Sequence, residues 1–553
     1  MSERTPDSSG LTDPVRHPES ASAPVRTKRA WVLLLLTVLV PGGAQLVAGS
    51  KRLGRRALRV TLTCWFLLLA VAAVAVLNRS ILIELLARPA VQLVLVVVLG
   101  LLAVGWLVLF INTLAIIRPR LLAPGMRGIV AGASVVAVLA TSGVLGYGAF
   151  VLNTGRGTIQ NVFASGPAFD PVDGRYNIML LGGDAGANRV GLRPDTMSLF
   201  SIDAATGKTA VISFPRNFQR APFPAGSPLH DVYPEGFSCG DECILNALYP
   251  TVENEHADVF PAGSNAGAEA MMDAAEGITG LKVQGYVLVD MAGFEQFIDA
   301  MGGVTVDSGG WVPYRGAPRD DTFVRTRWFA PGELKLDGQD ALWFARSRYF
   351  TTDYHRIRRQ QCLQQAMINQ FNPQTVLTRF TDIMSAGEEL VETNIPQDQL
   401  GSFLNLADKA RKSPFERLTL GAPDFGTSAE RFSTFPDFDR IHTRVDALLL
   451  AASGAAPASS APASASTDGQ GGAGASGGGS GASPSAGGGQ AGSGASTPAP
   501  SSTDAIEQGA DAVPSTQPDG SPITEDYLVR LEELGREDQL SLIAANNNEC
   551  STP

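Results

Sequence analysis

VQGYVLVDMAGFEQFIDAMGGVTVD, residues 283–307, holds two kinds of spacing side by side. VQGYVLVD (283–290) is a short, β-branched apolar run closed by a carboxylate, and it reads as a buried strand. MAGFEQFIDAMGG (291–303) spaces its apolar residues for a helix face and ends on two glycines, which stop a helix. VTVD (304–307) begins another strand. Working outward, YNIMLLGGD (176–184) reads as a buried strand ending in a glycine turn, TMSLFSID (196–203) alternates as a strand, and KTAVISFPRN (208–217) is a third strand ending in Pro-Arg. NAGAEAMMDAAEGITG (265–280) is a helix with Asn265 as N-cap, and helices are predicted within 337–350, 354–371, 375–391 and 398–411. Strands alternating with helices define a layered α/β domain. The stretch 218–265 has many turn residues and no convincing period, and reads as a surface excursion.

The chain partitions by composition. Four apolar stretches, 30–48, 60–78, 91–117 and 128–150, open it, and each of the last three can cross a hydrocarbon layer about 30 Å thick. Lys51, Arg52, Arg55, Arg56 and Arg59 follow the first stretch, and Arg118, Arg120 and Arg127 precede the last, so both loops belong in the cytoplasm. The loop 79–90 and everything after 150 then lie outside. Arg26, Lys28 and Arg29 ask for a cytoplasmic N-terminus, which a re-entrant hairpin at Pro41-Gly42-Gly43 satisfies and four full spans do not. The resulting parts are a cytoplasmic tail (1–29), an all-helical membrane region (30–150), a stalk (151–170), an extracytoplasmic α/β domain (171–450), an Ala/Ser/Gly-rich disordered linker (451–522) and a C-terminal tail (523–553) with a short amphipathic acidic helix. The expected location is the cell membrane, multi-pass.

A net charge of −11 disfavours generic attraction to nucleic-acid phosphates, and no nucleic-acid partner is expected. Positive charge is instead local. RSRYFTTDYHRIRRQQ (346–361) carries Arg346, Arg348, Arg356 and Arg359, with Gln360 and Arg356 four apart and therefore on one helix face. Asp353 stands where it caps that helix or holds an arginine. Asp184 follows the first strand, Arg189, Arg193 and Asp195 occupy the next turn, and Arg216 ends the third strand. Two carboxylates separated by a turn suit one magnesium ion with retained waters, and neighbouring arginines suit phosphate oxygens. Taken alone, the arginine run equally fits a solvated face, Asp184 and Asp195 turn formers, and Asp353 a plain cap. Cys239 and Cys243, in CGDEC, can bridge if the loop is oxidised. Cys362 reads as a core residue and Cys64 as membrane-buried.

In order and spacing, NIMLLGGDAG (177–186), RPDTMSLFSID (193–203), ISFPRN (212–217), AGFEQFIDAMGGV (292–304), LDGQDALWFARSR (336–348) and DYHRIRRQQ (353–361) resemble the signature blocks of the LytR-CpsA-Psr family. The resemblance covers about 170–450. It implies an extracytoplasmic α/β phosphotransferase that moves a glycan phosphate from a polyprenyl-pyrophosphate carrier to peptidoglycan, with lipid pyrophosphatase as a side activity. It also implies Asp184 and Asp195 on the magnesium side, with Arg193 and Arg216 beside them in catalysis. Arg189, Arg193, Arg216, Arg346, Arg348, Arg356, Arg359 and Gln360 would face pyrophosphate, and Asp353 would support them. The polytopic amino-terminal part looks actinobacterial, for which arabinogalactan is the glycopolymer to expect. Two departures stand out. Asn217 replaces the family's usual Asp after Pro-Arg and supplies neither charge nor base, which keeps open a catalytically weak, lipid-pyrophosphate-binding or regulatory protein. Pro194 separates Arg193 from Asp195 without removing either charge.

Overall fold

A computed structural model of the chain describes residues 15–164, 168–184, 192–315, 326–370, 391–454, 514–545 and 550–551. The helix expected over 375–391, the linker and Arg189 lie outside or largely outside those residues.

The membrane region is helical: α1 (Ala23–Leu39), α2 (Gly43–Ala48), α3 (Lys51–Leu77), α4 (Arg79–Ala87), α5 (Pro89–Ile117), α6 (Pro124–Val138) and α7 (Val144–Val162). The first apolar stretch is divided, α1 stopping at Leu39 and α2 starting at Gly43, with Gly42 at φ +95° between them. A side chain on Gly42 would meet the Gly54 carbonyl at 2.7 Å, so glycine alone fits there. Among the described residues, three helical stretches are long and apolar enough to cross a membrane: Lys51–Leu77, Pro89–Leu121 and Pro124–Gly157. Their outward apolar side chains, such as Trp65, Phe66 and Leu101, find no protein partner and face lipid. The expected stalk is helical as far as Val162, because α7 continues the last span. With the basic loops inside, the chain is a multi-pass membrane protein whose large domain lies outside the cytoplasm. One packing detail agrees. The outer helix α4 lies against the domain, so closely that a Cβ on Gly401 would approach the Glu84 Cα at 2.7 Å.

The domain is a mixed α/β layered structure. Its strands are β1 (Arg175–Asp184), β2 (Arg193–Asp203), β3 (Thr209–Ser213), β4 (Gly285–Asp290), β5 (Val304–Ser308), β6 (Val312–Tyr314), β7 (Arg327–Phe329), β8 (Gly332–Leu336), β9 (Val391–Thr393), β10 (Glu416–Thr419) and β11 (Cys550–Ser551). Its helices are α8 (Leu229–Val232), α9 (Leu245–Glu255), α10 (Ala266–Thr279), α11 (Met291–Met301), α12 (Gly338–Arg346), α13 (Asp353–Gln370), α14 (Leu400–Ala410), α15 (Phe438–Ser453), α16 (Glu525–Glu533) and α17 (Glu537–Ala545). A six-stranded sheet runs β10-β3-β2-β1-β4-β9, with β1 antiparallel to β2 and parallel to β4.

Period-two alternation divides the sheet's two faces. Met179 and Leu181 of β1, Met197 and Leu199 of β2, and Tyr286 and Leu288 of β4 point into the main core, against α9, α10 and α15. Leu180, Phe200, Val287 and Val289 point the other way, toward α11 and α13. A second core joins α11, α12 and α13 to the small strands β5, β6, β7 and β8.

VTVD is a strand, as expected; Gly302 and Gly303, both at φ +93°, redirect the chain so that β5 pairs antiparallel with β8 in a separate small sheet. One expectation is corrected here. The stretch 218–265 is no surface excursion, because Phe218, Phe223, Phe237, Leu248, Tyr249 and Val252 are all buried in the main core. Leu245, Leu248, Tyr249 and Val252 do keep a helical spacing along α9, with Pro250 inside it to break the pattern, whereas Phe218, Phe223 and Phe237 are held by loops and carry no period. Cys239 and Cys243 form a disulfide in this region, and Cys362, although buried as expected, is disulfide-bonded as well.

Candidate active site

The site begins with an irregularity in β1–β2 pairing. Gly182 pairs with Thr196 and Gly183 with Pro194, which leaves Asp195 as the extra residue of a β-bulge. The glycines permit the close approach: a Cβ on Gly183 would sit 2.6 Å from the Leu192 side chain. The bulge delivers Asp195 to the rim of a cavity. Past it, Arg193 is exposed and pairs through its backbone with Asp184.

Around Asp195 the charges interlock. Arg216 Nη1 lies 3.3 Å from Asp195 Oδ1, and Arg216 Nε lies 4.0 Å from Asp353 Oδ1. Arg356 Nη2 donates to Asp353 Oδ2 at 3.2 Å and stands 3.0 Å from Oδ1, while Arg348 Nη1 is 3.9 Å from the same oxygen. Asp353 is thus the hub of three arginines drawn from a strand end, a loop and α13. Burial pushes the Arg356 guanidinium down from its ordinary value, and Asp353 and then Asp195 oppose that push. Its Nε is buried without a hydrogen-bond partner. An anion arriving at the rim would find a donor there.

Behind the rim lies a cavity of about 380 Å³. Leu180, Phe200, Val287 and Val289 of the sheet form one wall, and Phe294, Phe297, Leu363 and Met367 of the helices form the other. Asp195, Thr196, Arg346, Arg356, Gln360 and Gln364 are its polar lining, joined by Asp290. Asp290 is a residue that pattern reading passed over. It ends β4 opposite Gly183 and accepts a hydrogen bond from Gly293 N at 2.7 Å, capping α11. Its position at a strand's carboxyl end was the available signal.

Arg359 sits elsewhere from the other arginines. Completely buried, it donates Nε–H to the Phe344 carbonyl at 2.9 Å and an Nη2–H to the Ser347 carbonyl, holding the end of α12. It does not line the cavity, so its place is behind the anion rim and not on it. Gln360 does both, lining the cavity and donating to the Ala345 carbonyl at 3.2 Å. Arg346 lies over the Trp343 ring at 5.9 Å. Asn217 is exposed beside Arg216. Next to the hub, His355 is held neutral, its pKa lowered to about 4 by burial and then by Arg358 and Arg359. Among the described residues, no three His, Cys, Asp or Glu side chains converge as a metal site.

An apolar cavity between one face of the sheet and the helices α11 and α13, with a carboxylate-organised arginine rim, is the candidate active site of this α/β domain. Residues 156–428 match the LytR_cpsA_psr family model. A relative from Bacillus cereus (strain ATCC 14579), polyisoprenyl-teichoic acid–peptidoglycan teichoic acid transferase TagU, is 29% identical over 227 residues, which is 40% of this chain and 62% of the relative. Biofilm regulatory protein A of Streptococcus mutans is 25% identical, over 40% of this chain and 50% of its own. The chain therefore spans less than two thirds of these relatives' lengths. The crystal structure of Bacillus subtilis TagV is similar at 20% identity with a TM-score of 0.35, covering 50% of this chain and 97% of that one.

Proposed function

We propose that the protein is a membrane-anchored phosphotransferase that attaches a cell-wall glycopolymer to peptidoglycan, taking the glycan phosphate from a polyprenyl-pyrophosphate carrier. The observation that carries this reading is the apolar cavity opening directly onto the arginine rim. A prenyl chain against Leu180, Val287, Val289 and Leu363 would leave its pyrophosphate among Arg346, Arg348, Arg356 and Arg216, with the unpaired Arg356 Nε–H available to a phosphate oxygen. The name of the Bacillus cereus relative points the same way.

In the reaction, an acceptor hydroxyl oxygen of peptidoglycan attacks the sugar-side phosphorus. The bond from that phosphorus to the bridging oxygen breaks, polyprenyl phosphate leaves with the bond's electron pair, and the sugar keeps a phosphodiester to the acceptor. The hydroxyl proton passes to a carboxylate, for which Asp195 at the rim and Asp184, whose side chain lies outside the described residues, are the candidates. The arginines spread over both phosphates stabilise charge that grows on the bridging oxygen. Magnesium ordinarily takes one or two carboxylates and completes its shell with phosphate oxygens and water, so Asp195 at the cavity rim would hold it together with substrate, with Asp184, whose side chain lies outside the described residues, as the proposed second carboxylate. Bound there, it would neutralise pyrophosphate charge. Water in place of the acceptor gives pyrophosphatase activity at the same site. The polymer is left open, arabinogalactan being one candidate.

The test is transfer by the purified full chain in detergent, from a synthetic polyprenyl-pyrophosphate glycan to peptidoglycan oligomers, with and without magnesium, read as phosphodiester-linked product by mass. Product abolished by Asp195→Asn supports the reading. Lipid binding without product, across several donor glycans, replaces it with the binding or regulatory role that Asn217 allows.

A further inference from the structure

The C-terminal segment returns to the domain after the long Ala/Ser/Gly-rich stretch and packs behind the arginine rim. Helices α16 and α17 bury Leu528, Leu531, Leu540 and Ile543 in a cluster with Trp328 of β7. Glu532 Oε1 accepts from Arg315 Nη2 and Thr326 Oγ1, each at 2.7 Å, and Glu525 Oε1 accepts from the Trp328 backbone N–H at 3.2 Å. The interface has an apolar centre with hydrogen-bonded carboxylates at its edge.

What the segment grips is the support of the rim. Trp328 stacks on Phe350 with ring planes 3° apart, and Arg315 lies over the Tyr349 ring at 4.7 Å. Both rings belong to the loop between α12 and α13 that presents Arg348, a loop in which Phe350 holds a left-handed φ of +55°. A non-glycine residue in that region persists only when its surroundings fix it. The backbone of Ala545 also reaches His355, the residue before Arg356.

The cysteines supply the fastening. Cys64 is free, Cys239 is paired with Cys243, and buried Cys362 of α13 is disulfide-bonded. The remaining cysteine of the chain is Cys550. Its strand β11 pairs with β5, placing Cys550 opposite Ser308, and β11 also lies against α13.

We propose that residues 514–551 are a cis-acting arm, locked by a Cys362–Cys550 disulfide, that positions the Arg348 loop and the start of α13. The lock forms when the two thiols give two protons and two electrons to an extracytoplasmic disulfide donor, which leaves as a dithiol. Composition alone fits a spacer or dispensable disorder equally, whereas here the tail acts as a part of the domain delivered late in the chain.

The experiment uses the full chain in detergent with a protease site inserted between residues 470 and 500. After cutting, Cys550 is the sole cysteine of the released side, so neither Cys239–Cys243 nor Cys64 can hold the fragments together. On a denaturing gel the arm is expected to stay with the body until a phosphine reductant is added; release without reductant overturns the lock. Hydrogen exchange then reads positioning. Removal of the arm by cutting, reduction and gel filtration should speed exchange of the amides of 347–356 at least tenfold while β1 stays protected. Unchanged exchange there overturns the positioning role. Leu528→Asp in the uncut chain should give the same local loss, whereas Cys550→Ser, still tethered at an effective concentration of about millimolar, should change it far less. In the transfer assay, a reading that rests on the proposed function, Leu528→Asp should raise KM for the lipid donor more than it lowers kcat. If transfer fails even for the unaltered chain, the gel and exchange results still decide the arm.

Discussion

At the residue scale, two arginines three positions apart on one helix have different work. Arg356 meets Asp353 and lines the cavity, whereas Arg359 is spent on the carbonyls of Phe344 and Ser347. Arg356→Ala should therefore lower kcat/KM in the transfer assay by about 100-fold or more, with Arg356→Lys rescuing only part because an ammonium lacks the planar fork. Arg359→Met should instead lower stability, by about 1–3 kcal/mol per carbonyl left without a donor, read by denaturant unfolding with KM of the folded fraction unchanged. His355 gives the pH dependence. The folded state keeps it neutral down to about 4, while the unfolded chain takes up a proton near the ordinary 6.5. In that window the unfolded state binds more protons, so this contribution is complete above 6.5 and is lost as pH falls toward 4, with a slope approaching about 1.4 kcal/mol per pH unit. His355→Gln should flatten that slope in unfolding curves measured across the window. The residue types of the rim were legible in RPDTMSLFSID and DYHRIRRQQ; their division of labour was not, because it depends on which side of α13 another element covers.

At the element scale, the sheet uses one face for the core and the other for the cavity. Alternation in YVLV and NIMLLGG predicts which residues share a face, since side chains change sides at every step. It does not say that one face stays open. That follows from where α11 and α13 sit, with β5 turned away by Gly302 and Gly303. Val289→Trp should fill the cavity at a stability cost of about 1–3 kcal/mol from overpacking. It should raise KM for a long-chain polyprenyl donor at least tenfold while sparing a short-chain analogue, as measured by paired kinetics. Equal effects on both donors would move the prenyl chain to some other surface. The bulge at Asp195 is likewise an element property. Two adjacent glycines in LLGGD signalled a turn, but the strand continues past them and the extra residue appears only once β1 and β2 are paired.

At the scale of the whole molecule, membrane region and domain meet at α4 and α14. The loop charges placed residues 79–90 outside, and the contact of Gly401 with Glu84 and Ala87 puts that segment on the domain's own side. Gly401→Leu, whose side chain would collide with the Glu84 backbone, should therefore push α4 away from α14 and speed hydrogen exchange of the amides of 79–87 in the full chain in detergent. Unchanged exchange there would separate the two parts. Under the proposed function, such a contact would hold the domain close to the membrane helices from which a lipid-linked donor would arrive.

The sequence by itself determined the membrane spans, their direction, the α/β class and the residue types of the rim. Each of these depends on local hydropathy, local period or charge along the chain, quantities that need no partner. Tertiary structure alone decided that the loop aromatics Phe218, Phe223 and Phe237 belong to the core, that Arg359 supports the rim from behind, that Asp290 joins it, and that the distant C-terminal helices pack against Trp328. Those outcomes rest on contacts between residues far apart in the chain, and no spacing within a segment encodes the surface it will meet.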